Sequence, residues 1–119
     1  MMIGMIRRWM RVMVKPGDVV VTMFTYSDLS GAKIRPALVV SRETYNETGS
    51  VVITAISSRP VRNQYELLLR DWQEAGLHIP SKVCAGQLMT VKIGLVKIIG
   101  CLSQQDFNNA RELLNQVLI

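Results

Sequence analysis

Histidine is almost missing from this chain: His78 is the only one among 119 residues. A Ser-His-Asp triad would have to run through that single ring, and no nucleophile stands beside it in sequence, so the pattern of ordinary triad hydrolases is lacking. Cysteine is nearly as scarce. Cys84 and Cys101 lie in apolar runs without CxxC spacing, and two thiols with one imidazole do not close a tetrahedral zinc shell. Both read as buried, reduced thiols in a cytoplasmic protein. Paired carboxylates, metal-ligand clusters and glycine-rich phosphate loops are also missing, since Gly31 and Gly49 are isolated turn glycines. Nothing in the pattern calls for a metal or cofactor. No apolar run is long enough to span a bilayer, which leaves no membrane partner to expect.

What is present suits a single small domain. Hydrophobic residues make up 49% of the chain, enough to fill a core. The first 14 residues stand apart. Their positive charges interrupt the apolar residues instead of preceding them, and no small-residue cleavage site follows, so they make a poor signal peptide. They read as an N-terminal extension, either a disordered arm or codons upstream of a start at Met13, with the domain proper at 15–119. The net charge of +5 is mostly theirs. Without Arg7, Arg8 and Arg11, eleven basic residues face nine acidic ones, a net of +2. Position then says more than sum. Lys33, Arg35, Arg59 and Arg62 fall at loop–strand junctions, where a phosphate-tracking patch has to be.

The pattern is mainly β. Val19–Phe24 reads as a strand entered through the Lys15-Pro16-Gly17-Asp18 turn. A loop over 25–33 precedes a second strand from about Ile34 to Arg42. A turn at 46–50 leads into a third strand over 51–57. Tyr65, Leu67 and Leu69 alternate with Glu66, Leu68 and Arg70, a strand pattern of period two. Asp71–Gly76 has the marks of one helical turn, and further strands are expected near 82–90 and 95–102. Short strands with regular turn signals indicate a small barrel or sandwich instead of βαβ units. Ser103 with Asp106 three residues later is a capping-box signal. It opens an amphipathic helix whose Phe107, Ala110, Leu114, Val117 and Leu118 share one face. Such a stripe packs on a core more often than it binds a partner's groove.

Arg35 is the most informative single residue. Pro36 fixes its own φ and biases Arg35 toward extended backbone, so a permanent planar cation is held rigidly at a loop mouth. Proline at the first position of a strand costs no ladder hydrogen bond. Taken alone, the pattern fits a strand-end arginine pairing a carboxylate better than a ligand-binding one. Around it gathers a polar cluster of strand ends: Thr54-Ala55-Ile56-Ser57-Ser58-Arg59, Ser81 and Gln87.

With this cluster the chain resembles the MazF/PemK family of toxin endoribonucleases. The resemblance rests on Gly17-Asp18-Val19-Val20, on Arg35-Pro36-Ala37-Leu38-Val39-Val40-Ser41 and on Tyr45-Asn46. It continues through Ala55-Ile56-Ser57-Ser58, Gly76-Leu77, Pro80-Ser81-Lys82-Val83 and Ile99-Gly100-Cys101-Leu102-Ser103. These pieces come in order over about residues 15–118. The resemblance implies an SH3-like barrel of about six strands with a C-terminal helix, forming a homodimer. It implies metal-independent cleavage of single-stranded RNA by ribose 2′-OH attack on the adjacent phosphate. It also implies a cognate acidic antitoxin that lies across the RNA groove and joins the toxin in binding DNA.

In that setting Arg35 matches the family's catalytic arginine. Ser57 stands where a threonine is usual, and fits either a catalytic hydroxyl or a turn-stabilising serine. Some relatives carry an arginine and an aspartate where this chain has Cys84 and Gly86, neither of which can act as their acid or base. His78 is then either a substitute base or an exposed loop histidine. RNA contacts are expected from Phe24, Tyr26, Lys33, Ser58, Arg59, Arg62, His78 and Gln87, by stacking and edge hydrogen bonds. Aromatics are only 6% of the chain, so polar and backbone contacts should dominate the reading of bases. The missing acid–base pair keeps a second role open: a non-catalytic relative on the same barrel, inhibiting a topoisomerase or binding RNA without cutting it.

Overall fold

A computed structural model describes residues 14–25 and 32–119. Six strands form one antiparallel sheet: β1 (Asp18–Thr25), β2 (Ala32–Val39), β3 (Ser50–Ser57), β4 (Glu66–Leu68), β5 (Lys82–Lys92) and β6 (Lys97–Cys101). A one-turn helix α1 (Glu43–Asn46) joins β2 to β3, a 3₁₀ turn (Ile93–Leu95) joins β5 to β6, and a main helix α2 (Gln104–Val117) follows. The strand order is β4-β5-β3-β2-β1-β6. The domain is thus mainly β with one C-terminal helix, as expected.

Alternation along the strands buries both faces of the sheet. Val19, Leu38, Ile56 and Val83 point to one side, against Leu77, Leu102, Ala110 and the half-buried Trp72 and Phe107. Val20, Ala37, Val39, Val51 and Ile53 point to the other, where Met89, Val91, Ile93 and Val96 curl over them. Each fully buried Leu or Ile here contributes about 1.5–3 kcal/mol relative to its exposed state. Val14 joins the second cluster, and its carbonyl accepts from Asn46 Nδ2 at 3.0 Å.

The two outer strands, β4 and β6, do not pair with each other. The connection after β4 takes up that position. A Cβ placed on Gly76 would stand 2.3 Å from the Ile99 carbonyl oxygen, and one on Gly100 would stand 2.3 Å from the Ala75 oxygen. Only glycine lets two backbones meet this closely. A turn is therefore laid against β6 where no ladder forms, and the sheet, expected to be a barrel, is not closed by strand pairing.

Several boundaries differ from the sequence expectation. Strand β2 begins at Ala32 and ends at Val39, so Arg35 and Pro36 sit inside it, not at its start. Pro36 is tolerated because β2 pairs with β3 only from Ala37 onward, leaving an edge on that side. Beyond Val40, whose N–H still donates to the Val52 carbonyl at 2.9 Å, Ser41 takes over: its hydroxyl accepts from Val52 N at 2.9 Å and donates to Asn46. Strand β4 is only three residues long, with Tyr65 exposed. Asp71–Gly76 does form the expected single turn, with Ala75 N donating to the Asp71 carbonyl at 3.3 Å and no helix continuing from it.

Ser103 caps α2 as expected, accepting from Asp106 N at 3.2 Å. The reciprocal half of the box is diverted. The buried Asp106 carboxylate accepts instead from Arg70 N at 3.1 Å and Asp71 N at 2.8 Å, tying the helix start to the chain leaving β4. Leu118 lies past the helix and is exposed, so it does not share the buried stripe. Cys101 is exposed, because β6 is an edge strand paired only with β1; Cys84 alone is buried.

Candidate functional site

Strand register assembles the site. Thr22 pairs with Arg35 across β1 and β2. Between β2 and β3 the paired stretch ends at Ala37 with Ala55, and the same register continued by two residues sets Arg35 against Ser57. Ser57 pairs with Lys82 across β3 and β5, and Lys82 with Leu68 across β5 and β4. Opposed residues of an antiparallel sheet share a face. Ser57 and Lys82 therefore stand in one row, half-buried and buried, and Arg35 is exposed on the same face of β2, two residues beyond its last pair with β3. Among the described residues no imidazole joins them, and the carboxylate that reaches them is that of Glu66 on β4, through Lys82.

The Ser57 hydroxyl oxygen accepts from Arg59 N at 3.1 Å. Its oxygen thus shapes the turn while its proton stays available to a ligand, so the two roles weighed for it are compatible. Behind it lies a charge network that the sequence did not disclose. Lys82 Nζ donates to Glu66 Oε1 at 2.6 Å and to the Pro60 carbonyl at 2.7 Å. Glu66 also accepts from Arg62 N at 2.7 Å and from the Arg62 guanidinium at 3.2 Å. The Lys82 hydrogen bond, then that of the Arg62 backbone, lowers the Glu66 carboxyl from 4.5 to about 2. This ionised glutamate pins the 58–62 loop, with Arg59 and Arg62 on it, against the strand bearing Lys82. Lys82 and Glu66 are the site residues that sequence reasoning missed. A lone lysine in an apolar strand was the available signal.

Beside the network β5 bulges. Ala55 pairs with Cys84 but Thr54 pairs with Leu88, so Ala85, Gly86 and Gln87 have no partner on β3. The buried Thr54 hydroxyl clasps the bulge, bonding the Cys84 carbonyl and, at 3.2 Å, that of Gln87. A groove of about 430 Å³ opens here, bounded by the bulge, the 62–66 segment and the end of α2. Burial pushes the Cys84 thiol up from its ordinary value, keeping it protonated and non-nucleophilic at neutral pH.

The remaining expected residues divide. Lys33 is exposed on β2, two residues from Arg35 and on the same face. Ser58 and Arg59 are exposed just beyond Ser57, while Arg62 and Gln87 line the groove. His78 is exposed in the loop before β5, and among the described residues no hydrogen bond or ion pair brings it to Arg35 or Ser57. The Phe24 backbone lies on β1 opposite Lys33. Its side chain, like all of Tyr26, lies outside the described residues. Among the described residues no three His, Cys, Asp or Glu side chains gather as metal ligands, and no helix is long and apolar enough to cross a membrane.

A family model for the PemK-like, MazF-like toxins of type II toxin–antitoxin systems matches residues 15–118. The chain belongs to this family. Solved structures of MazF-like toxins share its fold. A MazF from Deinococcus radiodurans is 22% identical, covers 87% of this chain and 94% of its own, and superposes with a TM-score of 0.71. A MazE–MazF complex from the same organism gives 22% identity, the same coverages and a TM-score of 0.69. An endoribonuclease from a mycobacterial species, in complex with its cognate antitoxin, gives 17% identity, coverages of 87% and 93%, and a TM-score of 0.70. No curated protein matches the sequence.

Proposed function

We propose that this MazF-like toxin is an endoribonuclease that cuts single-stranded RNA without a metal, and that Arg35 and Ser57 carry the chemistry. The observation that carries the reading is their shared face: a permanent cation and a hydroxyl on neighbouring strands of a domain in this family. The ribose 2′-OH gives up its proton as its oxygen bonds to phosphorus, the bond to the 5′-oxygen breaks, that oxygen takes up a proton, and the products are a 2′,3′-cyclic phosphate and a 5′-hydroxyl. Negative charge builds on the equatorial phosphate oxygens between those events. Arg35 offers a planar fork of donors to that charge, the role a metal fills in other nucleases. The Ser57 hydroxyl donates to a phosphate oxygen while its own oxygen is held by Arg59 N. In this reading Lys33, Ser58, Arg59, Arg62, Gln87 and His78 contact the RNA, and Phe24 and Tyr26 are expected to add stacking.

The partner we infer is an acidic antitoxin segment drawn to the same cations, acting on a homodimer of the toxin. The buried, protonated Cys84 and the side-chain-free Gly86 favour a second reading, a relative that binds RNA without cutting it. One experiment separates the two. Purified protein is incubated with long mixed-sequence RNA in EDTA and the new ends are mapped. Discrete cuts ending in 2′,3′-cyclic phosphate support cleavage, while intact RNA at high protein concentration supports binding alone.

A further inference from the structure

The turn that follows β3 is gripped at both ends by one residue. Ser57, where the turn starts, pairs with Lys82 across β3 and β5. Three residues on, the Pro60 carbonyl accepts from Lys82 Nζ at 2.7 Å. Between these ends the Arg59 N–H donates to the Ser57 hydroxyl oxygen at 3.1 Å. We propose that Lys82 is a positioning residue for cleavage: by closing this turn it fixes the direction in which the Ser57 hydroxyl presents its proton. The inference rests on the endoribonuclease reading.

The turn has little else to hold it. Residues 58–64 are exposed and belong to no strand, and exposed segments without a ladder open most easily. The Ser57 hydroxyl keeps its orientation while Arg59 N stays in place, and a displacement of about 1 Å can cost on the order of 100-fold in rate. The ammonium that closes the turn is itself aimed. The Lys82 side chain is 2% exposed, and Glu66 Oε1 accepts from it at 2.6 Å. The same oxygen accepts from Arg62 N at 2.7 Å, so the far side of the turn hangs on that carboxylate too. Stability does not explain a charge here, because a buried ion pair exchanged for apolar groups of similar volume is often neutral or stabilising. No apolar side chain can donate to the Pro60 carbonyl. What the lysine adds is that bond, and its effect falls on the turn that carries Ser57.

The test uses Lys82→Met with Glu66→Leu, which removes both buried charges together and so keeps most of the stability. Cleavage of one RNA in EDTA is measured beside the melting temperature. The expected result is a kcat lowered on the order of 10- to 100-fold with a melting temperature close to wild type. KM rises as well, because Glu66 no longer orients Arg62. Ser57→Ala added to that variant should cost a much smaller factor than it costs wild type, since the hydroxyl is already misdirected. A stable double variant with wild-type kcat, or with a change confined to KM, overturns the inference and leaves the nuclease reading standing. An equal Ser57→Ala factor in both backgrounds does the same, because it marks a merely structural lysine. Should the double variant not fold, NMR of wild type decides. The Lys82 ammonium and Arg59 amide protons are expected to exchange on the order of 10-fold more slowly than those of the exposed Lys33 and Ser58. Exchange as fast as at those groups overturns the inference. No cutting by wild type overturns the nuclease reading and the inference together.

Discussion

Replacing Lys82 with methionine removes the centre of the charge network while keeping the length of the side chain. Its ammonium and the Glu66 carboxylate have side chains only 2% and 4% exposed. The substitution leaves Glu66 with Arg62 alone, and leaves the Pro60 carbonyl without its donor. Breaking a buried pair from one side costs about 3–5 kcal/mol. For a domain of this size that lowers the melting temperature by roughly 10–20 °C. Removing both ions is different, since a buried pair exchanged for apolar groups is often nearly neutral. Lys82→Met with Glu66→Leu should therefore recover most of the loss, giving a coupling energy of about 2–3 kcal/mol in the double-mutant cycle. Urea unfolding followed by circular dichroism reads all four proteins. A single variant within about 1 kcal/mol of wild type, or a double variant no better than the single, refutes the account of Lys82 as a buried, paired anchor.

Acid should act through Glu66. Its folded value lies below its ordinary 4.5, at about 2, so its stabilisation is complete above 4.5 and is lost as pH falls toward 2. Glu66→Gln should flatten the stability profile over that window in acid titrations of unfolding. Gly76→Ala should destabilise by more than about 2 kcal/mol, combining a φ of +86° with a backbone oxygen 2.3 Å from the new Cβ. Gly86→Ala should be nearly silent in the same thermal melts, because that Cβ meets nothing within 4 Å. Ser57→Ala should reduce RNA cleavage while Ser57→Thr keeps most of it, since threonine retains the hydroxyl and restricts its rotamers. Equal loss in both variants, measured as kcat/KM on one RNA, would assign Ser57 to the turn alone.

Much of the fold was legible because it follows from local pattern. Val19–Phe24 and Val51–Ser57 read as strands from composition, and Ser103 marked the helix start from its spacing to Asp106. Register was the missing information. That Arg35 and Ser57 share a face depends on which residue of β2 meets which residue of β3, and nothing local to either strand states it. The burial of Lys82 was hidden for the same reason: its partner Glu66 is sixteen residues away on another strand. The β5 bulge escaped because Thr54, which clasps it, looks like any strand threonine. Cys101 is exposed although its run is apolar, because β6 lies at the edge of the sheet. Asp106 did enter the helix cap, but its carboxylate serves the chain leaving β4, a contact made only by folding.

The central claim is that a cation at position 35 stabilises a cleaving phosphate. The most direct measurement is the single-turnover cleavage rate of Arg35→Ala on an RNA that the wild type cuts, in EDTA, alongside its melting temperature. The account predicts a rate lower on the order of 100- to 1000-fold with the melting temperature essentially unchanged. A variant that folds normally and still cuts at close to the wild-type rate would contradict it.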